Sequence, residues 1–156
     1  MSTMERLTAD LTASMKARDT ARTGTLRQAI AAVRVAEKAG PAVRELTDEQ
    51  VQAVLASEVK KRRESAEIYS GAGAADRAAT ETAEADVIEA YLPAAVSEEQ
   101  LDALVAEAVT STGATSMRDM GTVMKAATAA AAELGRVDGK ALSQRVRQAL
   151  SGPAAG

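Results

Sequence analysis

The chain has 156 residues, 46% of them apolar, and a formal charge of −3 from 19 basic and 22 acidic side chains. Cysteine, histidine, tryptophan and phenylalanine are all absent, which excludes disulfide frames, thiol nucleophiles, imidazole or thiolate metal sites and histidine-based acid–base catalysis. A core drawn from alanine, leucine, valine and methionine suits helices that approach closely and suits sheets poorly, so the expected fold class is all-α.

Ser2-x-x-Glu5 is a capping box opening a first helix, with Met4, Leu7, Leu11 and Met15 on one stripe. A second helix presents Leu26, Ile30 and Val33 and stops at Gly40-Pro41. Thr47-x-x-Gln50 starts a third, with Val51, Leu55 and Val59, running to about Tyr69 before Gly71-Ala72-Gly73. A fourth covers roughly Asp76 to Leu92 and is closed by Pro93. Ser97-x-x-Gln100 opens a fifth, with Leu101, Leu104, Val105 and Ala108, ending near Gly113. Ser116 caps a sixth with Met117, Met120, Val123, Met124, Ala127 and Leu134 on its stripe, and Gly139 precedes a last helix with Leu142, Val146 and Leu150. The expected organisation is an N-terminal four-helix domain over 1–93, a compact three-helix domain over 94–151, and a disordered tail over 152–156. The start, Met1-Ser2-Thr3-Met4-Glu5-Arg6, has no apolar leader core, and no later run is long enough to span a bilayer. The expectation is a cytoplasmic protein.

Several charges fall on stripes that should face the core. On the stripe of Val51 and Leu55 the next members are Glu58, Arg62 and Tyr69, so Glu58 and Arg62 form an inward i,i+4 pair. Lys60 and Arg63 point outward, with Glu64 and Glu67 as surface partners. Glu81 and Glu84 lie on the side of Ile88, Tyr91 and Leu92. Unpaired buried carboxylates are costly, so Arg62 is expected to meet Glu81 or Glu84 across two packed helices, with a tyrosine hydroxyl nearby. The cluster reads either as a clasp fixing helix register or as a binding site. A di-iron reading of Glu81-x-x-Glu84 lacks the Glu-x-x-His half such sites need, and no metal or cofactor is expected.

Glu58-Val59-Lys60-Lys61-Arg62, then Tyr69, Glu81-x-x-Glu84 and Tyr91-Leu92-Pro93 resemble the core signature of the GatB/YqeY family of YqeY-like proteins. Asp119-Met120-Gly121-x-Val123-Met124 and Gly135-Arg136-Val137-Asp138-Gly139-Lys140 resemble that family's C-terminal half. Order and spacing agree from the first helix to Leu150. One departure is Ala74, where the family usually has an arginine; Asp76 is retained and Arg77 is displaced. The resemblance implies an N-terminal helical domain and a three-helix C-terminal domain. It also implies kinship with the tail of the B subunit of the tRNA-dependent amidotransferase, a tail associated with holding tRNA while chemistry resides elsewhere. The partners implied are tRNA or a tRNA-amidotransferase or aminoacylation complex, and the activity attached to the family is carbon–nitrogen ligation with glutamine as amido-nitrogen donor.

The residues themselves do not supply that chemistry. Releasing ammonia from glutamine needs a cysteine, or a serine activated in an amidase site, and the chain has neither. Gly135-Arg136-Val137-Asp138-Gly139-Lys140-Ala141 is one residue short of P-loop spacing and has Ala141 where a magnesium-binding hydroxyl belongs; it reads as a helix stop, a turn and a helix start. Positive charge is uneven, with eight basic against four acidic side chains over 1–44 and six against three over 118–147. Arg118 and Lys125 align on helix six, Lys140 and Arg147 on helix seven, with Arg136 in the turn between, and these five are the candidate RNA-binding residues. Arg27, Arg34 and Lys38 form a second stripe on helix two. Without Phe or Trp, an RNA contact would be led by the backbone and sensitive to salt. Gly121 is expected to mark close approach of a neighbouring helix, and the methionine stripe to be core. Three functions remain open: a tRNA-binding module, an accessory component of a carbon–nitrogen ligase, and a protein-binding adaptor.

Overall fold

The computed structural model describes residues 1–152. Among them lie α1 (Thr3–Lys16), α2 (Thr20–Glu37), α3 (Asp48–Gly71), α4 (Ala75–Glu89), α5 (Glu98–Thr112), α6 (Met120–Leu134) and α7 (Gly139–Ser151), with a short 3-10 turn at Met117–Asp119. The fold is all-α; the single strand-like feature among the described residues is an isolated parallel bridge between Ala95 and Arg136. The chain divides into two compact units, Met1–Leu92 with α1–α4 and the residues from Pro93 on with α5–α7. Of the tail expected at 152–156, Gly152 is a bend and Pro153–Gly156 lie outside the described residues.

Capping boxes fix three of the helix starts. At Ser2/Glu5, Thr47/Gln50 and Ser97/Gln100 the hydroxyl accepts from the third backbone N–H while the longer side chain accepts from the cap's own N–H, satisfying two orphan donors at each end. The fourth box, Ser116/Asp119, closes the 3-10 turn instead of opening the sixth helix directly. That helix therefore starts at Met120, and Met117 stays exposed outside it.

In the first unit, Leu7, Leu26, Ala29, Val33, Val51, Leu55, Val59, Ala85, Ile88 and Tyr91 form the core. The stripe expected on α1 changes composition at its end: Met15 is 51% exposed, and Ser14 is buried in its place. There α1 and α2 are close enough for the Ser14 and Thr23 hydroxyls to hydrogen-bond at 2.9 Å, leaving space for small side chains only. In the second unit the buried stripe of α6 is Val123, Ala127 and Ala131, packed with Leu101, Leu104, Val105, Ala108, Leu142 and Val146. Met120 and Met124 flank that core and Leu134 is exposed.

The bridge explains Gly135. Arg136 N–H donates to the Ala94 carbonyl at 3.1 Å and Val96 N–H to the Arg136 carbonyl at 2.8 Å. The two segments lie so close that a Cβ on Gly135 would stand 2.4 Å from the Ala94 oxygen, and its φ of 153° is one that side chains rarely adopt. The glycine stretch that fails as a P-loop thus lets the segment before α5 lie against the turn between α6 and α7.

Candidate functional site: a buried arginine clasp and an outward basic surface

Helix α3 turns Arg62 to the core side in phase with Val51, Leu55 and Val59, and it is only 8% exposed. Its guanidinium is held by three helices. Nη1 donates to Glu58 Oε2 at 2.8 Å and to the Glu58 carbonyl at 3.2 Å, Nε to Glu84 Oε2 on α4 at 3.2 Å, and Nη2 to Gln28 Oε1 on α2 at 2.6 Å. A buried guanidinium needs most of its fork of donors answered, and this set answers Nε and both terminal nitrogens. Lys61 adds a 3.1 Å bond to Glu58 Oε1. Burial works to raise the Glu58 pKa, but the hydrogen bonds from Arg62 and Lys61 outweigh it and hold the carboxyl below its ordinary value.

Of the two inward glutamates on α4, Glu84 joins this clasp and Glu81 does not. Glu81 lies with Tyr69, Asp76, Arg77 and Thr80 around a shallow hollow of about 220 Å³. The Arg77 guanidinium stacks over the Tyr69 ring, 5.8 Å from its centroid. Ala74 makes no side-chain cap for α4, while Arg77, through Tyr69, reaches this end of the helix pair. Arg63 also departs from expectation. It crosses to α4, bonding Asp86 at 2.7 Å and Glu89 at 2.5 Å, and does not pair along its own helix with Glu64 or Glu67.

A second polar cluster escapes a reading of periodicity, because it joins α1 and α2 to a residue about 70 to 80 positions further along the chain. Tyr91, just past α4, donates its hydroxyl to Asp10 Oδ2 on α1 and receives a 3.4 Å bond from Arg22 on α2. Arg6 lies over the Tyr91 ring at 5.1 Å. Burial, then the bond to the Asp10 carboxylate, pushes the Tyr91 pKa up to about 12. The one signal for it in the sequence is a tyrosine on the inward side of the fourth helix, beside Ile88 and Leu92.

Among the candidate RNA-binding residues, Arg118 is exposed in the 3-10 turn, ahead of the helix that periodicity has it share with Lys125. Lys125 is exposed on α6, opposite the stripe of Val123 and Ala127. Lys140 and Arg147, seven residues apart on α7, are exposed on one side of it. Arg136 is half-buried and its backbone is fixed by the bridge to Ala94 and Val96. Arg145, on the other flank of α7, is taken by two acids of α5: Glu98 at 2.9 Å and Asp102 at hydrogen-bonding distance. Arg118, Lys125, Lys140 and Arg147 have no acidic side chain within ion-pair distance among the described residues. The stripe on α2 is less free, since Arg34 pairs with Glu37 at 2.9 Å and Arg27 lies beside the Met15 sulfur at 3.8 Å.

Gly121 has a different role from the one expected. It is the second residue of α6, exposed, and apart from its chain neighbours and its own helix backbone no described atom lies within 4 Å of where its Cβ would be, so no neighbouring helix among the described residues packs there.

The sequence model of the family described as Yqey-like protein matches residues 4–150. The chain belongs to that family. The match takes in the clasp on α3 and α4 and the basic surface of α6 and α7 alike, and the family's domain is related to the C-terminal part of the amidotransferase B subunit. No curated protein sequence matches the chain. No group of three or more acidic side chains able to hold a metal occurs among the described residues, and no helix there is long and apolar enough to cross a membrane.

Proposed function

We propose that this YqeY-like protein is a binding module for tRNA, or for a complex that handles tRNA, and contributes no bond-making chemistry of its own. The observation that carries the reading is the asymmetry of charge in the second unit. Arg145 is neutralised by Glu98 and Asp102, while Arg118, Lys125, Lys140 and Arg147 stand in solvent without an acidic partner among the described residues. Exposed cations on rigid helices that lack internal partners are what phosphate binding requires, and such cations fix position without reading bases. With Tyr69 and Tyr91 the only aromatic side chains, both in the first unit, base stacking has no platform in the second. The kinship with the amidotransferase tail supports tRNA as the RNA in question. The clasp around Arg62 is read as scaffold: each of its carboxylates faces a cation of the same chain, which leaves no proton acceptor poised for a substrate.

The test is a titration of the full chain against total tRNA at several salt concentrations, repeated with Arg118, Lys125, Lys140 and Arg147 changed together to Ala. The expected result is saturable binding whose dependence on salt flattens in the variant, by roughly one unit of log–log slope for each phosphate no longer neutralised. Absence of saturable binding at low salt overturns the reading.

A further inference from the structure

Three helices of this protein end in the same left-handed turn. After α3, Gly73 N–H bonds the Ser70 carbonyl at 3.2 Å and Ala74 N–H bonds Tyr69 at 2.8 Å; after α5, Gly113 bonds Thr110 and Ala114 bonds Val109, both at 3.2 Å. After α1, Arg18 N–H bonds Met15 at 3.1 Å and Asp19 N–H bonds Ser14 at 3.0 Å. This paired 5→2 and 6→1 pattern places its pivotal residue at positive φ, where glycine is strongly preferred. Gly73 and Gly113 fill the position at φ 76° and 66°, but the third pivot is Arg18, at φ 57°. There the Cβ of an L-residue crowds the following carbonyl oxygen, a strain that glycine does not carry. Glycine would carry less strain in this turn than the arginine does.

The surroundings say what the side chain could serve. Lys16 is the last residue of α1, a place that the carbonyl end of the helix favours for a cation. Arg27, on α2, donates to the Met15 sulfur at 3.8 Å, which brings a third cation to the same hairpin end. The acids of residues 1–36 are committed elsewhere. Glu5 accepts from the Ser2 backbone at 2.7 Å, Asp10 is held by Tyr91 and Arg22, and Asp19 caps α2 by accepting from Arg22 N–H at 3.1 Å. On α4, Asp86 and Glu89 are taken by Arg63. Lys16, Arg18 and Arg27 are exposed and have no acidic partner among the described residues.

We propose that the end of the α1–α2 hairpin is a second contact for the sugar–phosphate backbone of RNA, with Arg18 at its tip and Lys16 and Arg27 beside it. This second contact presupposes the RNA reading above and adds to it a binding surface in the first unit. Strain kept at a position where a cheaper residue exists is common where a side chain meets a ligand, and one helix-hairpin end carrying three exposed cations without acidic partners among the described residues suits phosphates spaced along a strand.

The experiment measures anisotropy of a labelled tRNA against the full-length protein over a range of potassium chloride concentrations. It compares wild type, the four-residue variant of the second unit, and the hairpin variant Lys16→Ala/Arg18→Gly/Arg27→Ala. In the hairpin variant, affinity at low salt is expected to fall by about tenfold or more and the log–log salt slope by roughly two to three units. Arg18→Gly alone is expected to weaken binding while leaving the thermal midpoint unchanged or raised, because glycine relieves the turn. A hairpin variant that matches wild type in affinity and slope, while the four-residue variant loses both, overturns this inference and leaves the RNA reading standing. No binding by the wild type removes both. A lowered thermal midpoint for Arg18→Gly would show that the arginine is held for folding, which also overturns the inference.

Discussion

The clasp of the first unit and the basic surface of the second handle charge in opposite ways. In the first, Arg62 is 8% exposed and Glu58, Glu84 and Gln28 answer its donors from three helices, while Arg63 crosses to Asp86 and Glu89. In the second, the acids are concentrated on α5, the cations on the 3-10 turn, α6 and α7, and Arg145 is joined to the acidic side. The first arrangement removes charge from solvent and fixes how α2, α3 and α4 register on one another. The second keeps charge in water, where it contributes little to stability and remains available to a partner. A charged residue in this chain therefore cannot be assigned a role by type; it depends on whether the chain supplies the counter-charge.

Mutations can break that contrast. The largest effect is expected from Arg62→Ala, which leaves Glu58 and Glu84 facing one another in a half-buried position. Denaturant unfolding should show a loss of about 3 kcal/mol, with tRNA binding by the folded protein unchanged. A loss of binding at full stability would instead make the clasp a site. A smaller, pH-dependent effect belongs to Glu58. Its folded pKa lies below the unfolded one, so its contribution is complete above the ordinary carboxylate value and disappears as pH falls through the lowered folded value. Wild type should exceed Glu58→Gln in unfolding midpoint at neutral pH, and the difference should close as the solution is acidified below about pH 4. An equal difference at all pH values would mean the carboxylate's charge is not what matters. The smallest effect is expected from Arg145→Ala, whose partners Glu98 and Asp102 are 91% and 69% exposed. Its midpoint should move far less than that of Arg62→Ala, and the shift should vanish in high salt.

Much of the fold can be read without coordinates, for local reasons. Capping boxes are made within four residues, so Ser2/Glu5, Thr47/Gln50 and Ser97/Gln100 announce their helices. The inward phase of Glu58 and Arg62 also follows from helical period alone. The same local logic misplaces Met15, Met117 and Gly121, because burial at those positions depends on which helix lies opposite and how closely. It can choose neither Glu84 over Glu81 nor Asp86 and Glu89 over Glu64 and Glu67. Periodicity along one helix carries no information about the rotation of its neighbour. The Tyr91–Asp10–Arg22 cluster, spanning 81 residues of sequence, is out of reach for the same reason.

By itself the sequence determined the helical class, the three helix starts marked by capping boxes, the absence of cysteine and histidine, and the family. Each is a matter of composition, of contacts between near neighbours, or of motifs in order. Only the tertiary structure decided which carboxylates meet Arg62, which cations remain unanswered, and that the turn after α1 bends an arginine into a glycine's conformation. Those outcomes depend on separations of a few ångströms between side chains that packing alone brings together.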